Sequence, residues 1–233
     1  MKLIHGELMD IADHERAKTS ANFFKTGKGE YGEGDVFLGI RNGELRRISK
    51  VHWDRVGFSV IEDLLRSKVH DERLVALLIL VEKFERGDER LKKEVFDFYL
   101  ENARLVNNWD LVDVSAWKIV GRWLIDRDRE VLVRLARSDS LWERRMGIVS
   151  TFAFIREGDV DDALKISEML LGDDEDLMHK AVGWMLREVG KKNREMLEGF
   201  LRENYDELPR TTLRYAIERF EEDLRKKWLK GRC

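Results

Sequence analysis

Apolar residues recur at steps of three and four along most of the chain, the spacing that places side chains on one face of an α-helix. Leu74, Leu77, Leu78 and Val81 follow it, as do Leu132, Leu135 and Ala136 and, more loosely, Leu164, Met169 and Leu170. No segment alternates apolar and polar residues over the length of a strand, and Pro209 is the one proline. The pattern predicts an all-α protein. Breaks fall at Gly87-Asp88, Asn107-Asn108, Asp126-Arg127-Asp128, Ser138-Asp139-Ser140, Gly158-Asp159, Gly172-Asp173-Asp174, Lys191-Lys192-Asn193 and from Asp206 to Pro209.

The breaks carry a period. Helices expected to start near Asp71, Asn108, Ser140, Glu175 and Pro209 lie 37, 32, 35 and 34 residues apart. A shorter helix fits between each pair, over Glu89 to Leu105, Asp128 to Arg137, Val160 to Leu171 and Arg194 to Tyr205. Such recurrence is the mark of an α-solenoid of HEAT-like repeats, a curved stack with a concave face. A compact antiparallel bundle is the alternative, because the repeats share a pattern and not identical residues.

The N-terminal part is less regular. An initial helix is expected to about Phe24, then a glycine-rich loop from Lys25 to Asp35. Phe37-Leu38-Gly39-Ile40 should return to the core ahead of a helix with Leu45, Ile48 and Trp53. The expectation is a single domain over 1–233, irregular in 1–68 and regular from about 70 to 230. The loop is not a phosphate loop: it lacks the G-x-x-x-x-G-K-[ST] spacing, and no apolar strand precedes it.

Composition narrows the class. The 233 residues are 43% hydrophobic and 38% charged, as in a globular protein. No apolar run approaches the roughly 18 residues of a membrane span, and Glu7 and Asp10 interrupt any signal-peptide core. A cytoplasmic location is expected, with no membrane partner. The one cysteine, Cys233, leaves no internal disulfide, and the five histidines show no metal-ligand spacing. No metal and no cofactor are expected. A net charge of -3 argues against a uniformly basic nucleic-acid binder but permits one whose cations gather on a single face. The abundance of Glu, Lys and Arg and the lack of glutamine resemble heat-adapted proteins.

Candidate chemistry centres on Trp109 and Asp113, four residues apart and so side by side on a helix whose N-cap would be Asn108. Asp113 stands between Val112 and Val114. A carboxylate in apolar surroundings needs a cation or hydrogen bonds. That cation is either a ligand's or a neighbouring helix's, for instance Arg145. Trp184, one turn from Lys180 and Arg187, also lies on a charged face, whereas Trp53, Trp117, Trp123, Trp142 and Trp228 read as packing residues. Of Arg144 and Arg145, about 100° apart on a helix, one at most can face into the concavity. An arginine there suits a phosphate, the alternative again being an interhelical ion pair.

Four ordered stretches carry more than periodicity. They are W-D-L-V-D from Trp109, L-W-E-R-R-M-G-I-V from Leu141, H-K-A-V-G-W-M-L-R-E-V-G-K from His179 and P-R-T-T-L-R-Y-A-I-E from Pro209. In order and spacing the set resembles the AlkD-like DNA alkylation repair family, over nearly the whole chain. The resemblance implies a monomeric HEAT-like solenoid that holds duplex DNA in a positively charged concave face. There it would excise cationic N3- or N7-alkylated purines without flipping the lesion into a pocket. It further implies that Asp113 is the catalytic carboxylate, that Trp109 and Trp184 contact the deoxyribose of the lesion, and that Arg145 contacts phosphate. Arg144, Lys180, Arg187, Arg210 and Arg214 are the other candidate DNA-binding residues. Two departures stand out: the loop from Lys25 to Asp35 looks like an insertion, and Phe23 or Phe24 stands where a tyrosine is expected. Some members of the superfamily look like DNA binders without activity, so a non-catalytic protein binding damaged or branched DNA is the alternative. A protein scaffold with no nucleic-acid role is a third reading.

Overall fold

A computed structural model describes residues 2–231, and Cys233 lies outside them. The described chain runs through α1 (Lys2–Asp10), α2 (His14–Phe23), α3 (Asn42–His52), α4 (Phe58–Leu65), α5 (His70–Arg86), α6 (Glu89–Glu101) and α7 (Trp109–Ala116). It continues through α8 (Glu130–Ala136), α9 (Leu141–Ser150), α10 (Phe152–Glu157), α11 (Asp161–Met169), α12 (Asp176–Lys192), α13 (Arg194–Glu203), α14 (Arg210–Ala216) and α15 (Glu222–Leu229). A 3₁₀ turn at Ala103–Leu105 follows α6, and a π turn at Trp117–Gly121 follows α7. The protein is all-α, as the periodicity predicts; an isolated parallel bridge joins Val36 and Val69.

Local capping explains several of the helix starts. Asp88, Ser140 and Asn193 each accept a hydrogen bond from a first-turn amide, of Leu91, Glu143 and Met196 respectively, so α6, α9 and α13 begin there. Each of the five expected long-helix starts falls within a residue or so of an observed one. The N-terminal expectation needs correction. The single helix to Phe24 is two, because Asp13 turns the chain and caps α2 through the Arg16 amide. A further helix, α4, fills part of the stretch read as irregular, with Ile61, Leu64 and Leu65 buried at helical spacing.

Two compact units make up the chain, Met1–Ser115 and Ala116–Cys233. In the first, α5 is buried on almost every side from His70 to Val81, and α1, α3, α4 and α6 pack against it. A helix apolar all round must be enclosed by others. In the second, α9 packs on α12 and α12 on α14, with α8 against α9 and with α11 and α13 against α12. Gly183 permits the last step of that stack: a Cβ there would stand 2.5 Å from the Tyr215 Cβ and 2.7 Å from the Thr212 carbonyl oxygen.

Candidate functional site

Trp109 and Asp113, the first and fifth residues of α7, open onto one cleft of about 670 Å³ in the first unit. The chain brings them there by ordering the turn before the helix. Asn108 is fully buried, its carbonyl accepts the Val112 amide, and its side-chain oxygen accepts the Trp109 amide at 2.8 Å. Asn108 thus stands at the cap position, although its side chain bonds the first helical amide and not the second or third.

The walls are aromatic. Phe24 stacks on Trp109 with ring centroids 5.2 Å apart and 14° between planes, and Phe37 stacks on the other side of the run at 5.0 Å from Phe24. His70 completes it, 4.5 Å from Phe37 and 24° from parallel. Phe23 meets both Phe24 and Trp109 edge-on. Carboxylates and cations share the lining: Asp110 and Asp113 from α7, Arg16 from α2, and Arg41 just ahead of α3. Asp113 also acts inward. Burial pushes the Tyr99 phenol upward, and the Asp113 charge adds to that effect.

The loop that looks like an insertion is fixed to this cleft. Asp71, buried at the start of α5, accepts the Leu38 and Ile40 amides. Asp35 pairs with buried Arg73 at 2.7 Å and accepts from the Asn108 side-chain Nδ2 at 3.4 Å. Gly39 has φ +75°, and a Cβ there would come within 2.3 Å of the Asp13 carbonyl oxygen. Only glycine lets the chain pass so close to the start of α2 while presenting Phe37 and Ile40. In the glycine-rich segment itself, Glu30 and Glu33 accept the Gly27 and Gly29 amides, so those donors are engaged by its own carboxylates.

The other candidates lie in the second unit. Trp184, half-buried on α12, is 5.9 Å from Phe152, which meets Trp117 edge-on. Arg145 is buried and donates to the Leu177 carbonyl at 2.6 Å. Arg144 grips the Asp173 carboxylate and donates to the Ser138 and Asp139 carbonyls. Arg187 pairs with Glu218, and Lys180 with Asp176 at 2.7 Å. Arg210 is exposed and donates to the Leu229 carbonyl, and Arg214 is exposed without an ion pair among the described residues. Of the tryptophans read as packing residues, Trp228 is fully buried, while Trp53, Trp117 and Trp123 are half-buried beneath Arg86, Arg156 and Arg127. Among the described residues no group of three His, Cys, Asp or Glu side chains is arranged to hold a metal ion. No described helix is long and apolar enough to cross a membrane.

The family model for DNA alkylation repair enzyme matches residues 4–220, both units together. The chain belongs to that family. The DNA alkylation repair fold is also found in a solved structure from Enterococcus faecalis, described as a predicted DNA alkylation repair enzyme. The two share 17% identity and superpose with a TM-score of 0.71 over 91% of this chain and 97% of that one. No curated protein matches the sequence. Membership supports a role in the repair of alkylated DNA. Within this DNA alkylation repair protein, sequence reading missed His70, Asp110 and the placement of Phe24. The first two stand at helix starts, His70 first in α5 and Asp110 second in α7.

Proposed function

We propose that the protein is a monofunctional DNA glycosylase that releases cationic N3- and N7-alkylated purines from duplex DNA. The observation that carries the reading is the opening of Trp109 and Asp113 onto one aromatic-walled cleft with arginines in its lining. The four motif stretches and the family membership support it.

The chemistry asks little of the protein. An N3- or N7-alkylated purine carries a positive charge, so the electron pair of the breaking C1′–N bond leaves with a base that becomes neutral. No general acid is needed, unlike in ordinary glycoside hydrolysis. Positive charge develops on the sugar instead. Asp113 stabilises it and orients a water whose oxygen bonds to C1′, the released proton passing to the carboxylate or solvent. The Trp109 indole, in the same cleft, adds a π face to that charge, a contact contributing about 0.5–2 kcal/mol, and Trp184, in the second unit, is the other indole that the family resemblance assigns to the deoxyribose. The carboxylate is the larger effect. The exposed Arg210 and Arg214, and Arg41 beside the cleft, supply phosphate contacts, because a guanidinium offers a phosphate paired donors; Arg145, buried and bonded to the Leu177 carbonyl, is held back from such a contact.

The test is base release from methylated duplex DNA, by wild type and by Asp113→Asn. Release by the wild type and its near loss in the variant, with DNA affinity kept, is the expected result. Salt-dependent binding with no release by either protein would leave a DNA-binding module and overturn the enzymatic reading.

A further inference from the structure

Three carboxylates line the cleft, Asp71, Asp110 and Asp113; Asp71 is engaged by the Leu38 and Ile40 amides, and Asp110 and Asp113 stand one turn apart on α7. Asp110 faces His70, with Nε2 3.0 Å from Oδ1. The same oxygen accepts the Leu111 amide at 2.9 Å. A carboxylate only accepts hydrogen bonds, which puts the hydrogen of this contact on Nε2. His70 is 2% exposed and the Asp110 side chain 15%, so the bond is sheltered from water. A buried carboxylate without its partner would be costly, which makes the pairing strongly preferred.

The His70 ring has a second role in the geometry. It lies against Phe37 at 4.5 Å and against Phe24 at 5.0 Å, and Phe24 lies flat on Trp109. Trp109 is therefore reached from His70 by two routes, one through the ring stack and one through Asp110, its neighbour in the chain. Both begin at the first residue of α5, the most enclosed helix of its unit. A rigid helix start is a firm base for setting the plane of an indole.

We propose that His70 is a positioning residue: paired with Asp110 and stacked beneath Phe37 and Phe24, it fixes the Trp109 indole for the reaction at the cleft. The inference rests on the glycosylase reading. It assigns Asp110 to His70 and keeps for Asp113 the substrate role that the glycosylase reading gives it. His70 touches no substrate atom and acts through Trp109.

The test uses the full chain and N7-methylguanine duplex DNA under single-turnover conditions, with DNA affinity measured separately. His70→Phe keeps a ring in the stack and removes the hydrogen bond. Asp110→Asn keeps the histidine and the stack and weakens the same bond. In each, the rate of release is expected to fall about tenfold or more, the scale of a small misplacement of a reacting group, while DNA affinity changes less than about twofold. The double variant should fall no further than the worse single one, as for two residues that act as a unit. His70→Gln, which restores a donor, should recover part of the rate. Wild-type rates in both single variants overturn the inference and leave the glycosylase reading intact. So does loss of the fold in both, since the pair would then hold the unit together and not the indole. No release by the wild type overturns the glycosylase reading itself, and the positioning role with it.

Discussion

Phe24 lies flat against Trp109, 14° from parallel with ring centroids 5.2 Å apart, and so gives the indole one fixed wall. An aromatic pair contributes about 0.5–1.5 kcal/mol beyond the area it buries. Phe24→Leu is expected to lower stability by about 1 kcal/mol and to slow base release several-fold. Trp109 emission, isolated as the difference from Trp109→Phe, should change with it. Emission and rate both equal to wild type would show that the stack does not govern the indole.

That stack is not legible in the sequence, although much of the fold is. The starts of α6, α9 and α13 can be read because a cap is a local event, a polar side chain and amides one turn away. Trp109 and Asp113 can be read for the same reason, four residues apart on one helix. The walls of the cleft come instead from α2, the segment around Phe37, α5 and α7, brought together by the path of a loop. That path is set by the Asp71 bonds to the Leu38 and Ile40 amides and by the left-handed Gly39, and neither leaves a periodic trace. The break between α1 and α2 escapes notice although its cap, Asp13, is an ordinary one, because no glycine or proline marks the turn.

Asp113→Asn is nearly isosteric and removes the charge the proposed reaction depends on. Losing one electrostatic stabiliser of a transition state costs about a hundredfold to a thousandfold in rate. The expected outcome is a fall of that size in single-turnover release, with duplex affinity within about twofold of wild type. A matching fall in affinity would instead make Asp113 a determinant of DNA binding.

Two arginines should separate DNA contact from scaffold. Arg41 is exposed beside the cleft, whereas Arg144 is held by Asp173, whose side chain is 5% exposed. Removing one phosphate-bound cation lowers the slope of log K against log salt by about 0.9. Arg41→Ala is expected to reduce the slope by about that amount without changing the melting temperature. Arg144→Ala should leave the slope alone and cost about 2 kcal/mol in denaturant unfolding, because a shielded carboxylate loses its partner. Exchanged outcomes would move the DNA surface to Arg144.

The contact between α12 and α14 carries a modest acid sensitivity. A hydrogen bond from Lys180 holds the Asp176 carboxyl below its usual 3.8, and Thr211 on α14 adds to the effect. The folded-state value is the lower one. The contribution is therefore complete above the unfolded value and is lost as pH falls through the folded one. Asp176 and Lys180 are largely solvated, so the effect is expected to be a few tenths of a kcal/mol. Thr211→Val should narrow the difference in stability between about pH 5 and pH 2.5, followed by urea unfolding. An unchanged difference would mean that Thr211 has no part in it.

Gly183 precedes Trp184 and sits where α12 meets α14, so its substitution tests the stack and the site together. A methyl group there would stand 2.7 Å from the Thr212 carbonyl oxygen and 3.2 Å from the Thr212 Cα. Backbone cannot swing aside as a side-chain tip can, so α14 has to shift. Overpacking of this kind costs about 1–3 kcal/mol, or roughly 2–4 °C in melting temperature per kcal/mol for a chain of this size. Gly199 is the matched control. It lies inside α13, and a Cβ there would meet nothing within 4 Å. Gly199→Ala should therefore stabilise by about 0.5–1 kcal/mol through helix propensity alone. Gly183→Ala is expected to lower the melting temperature and also to weaken duplex binding, since Arg210 and Arg214 ride on the helix that moves. If it melts lower but binds DNA as the wild type does, the α14 arginines are not part of the DNA surface.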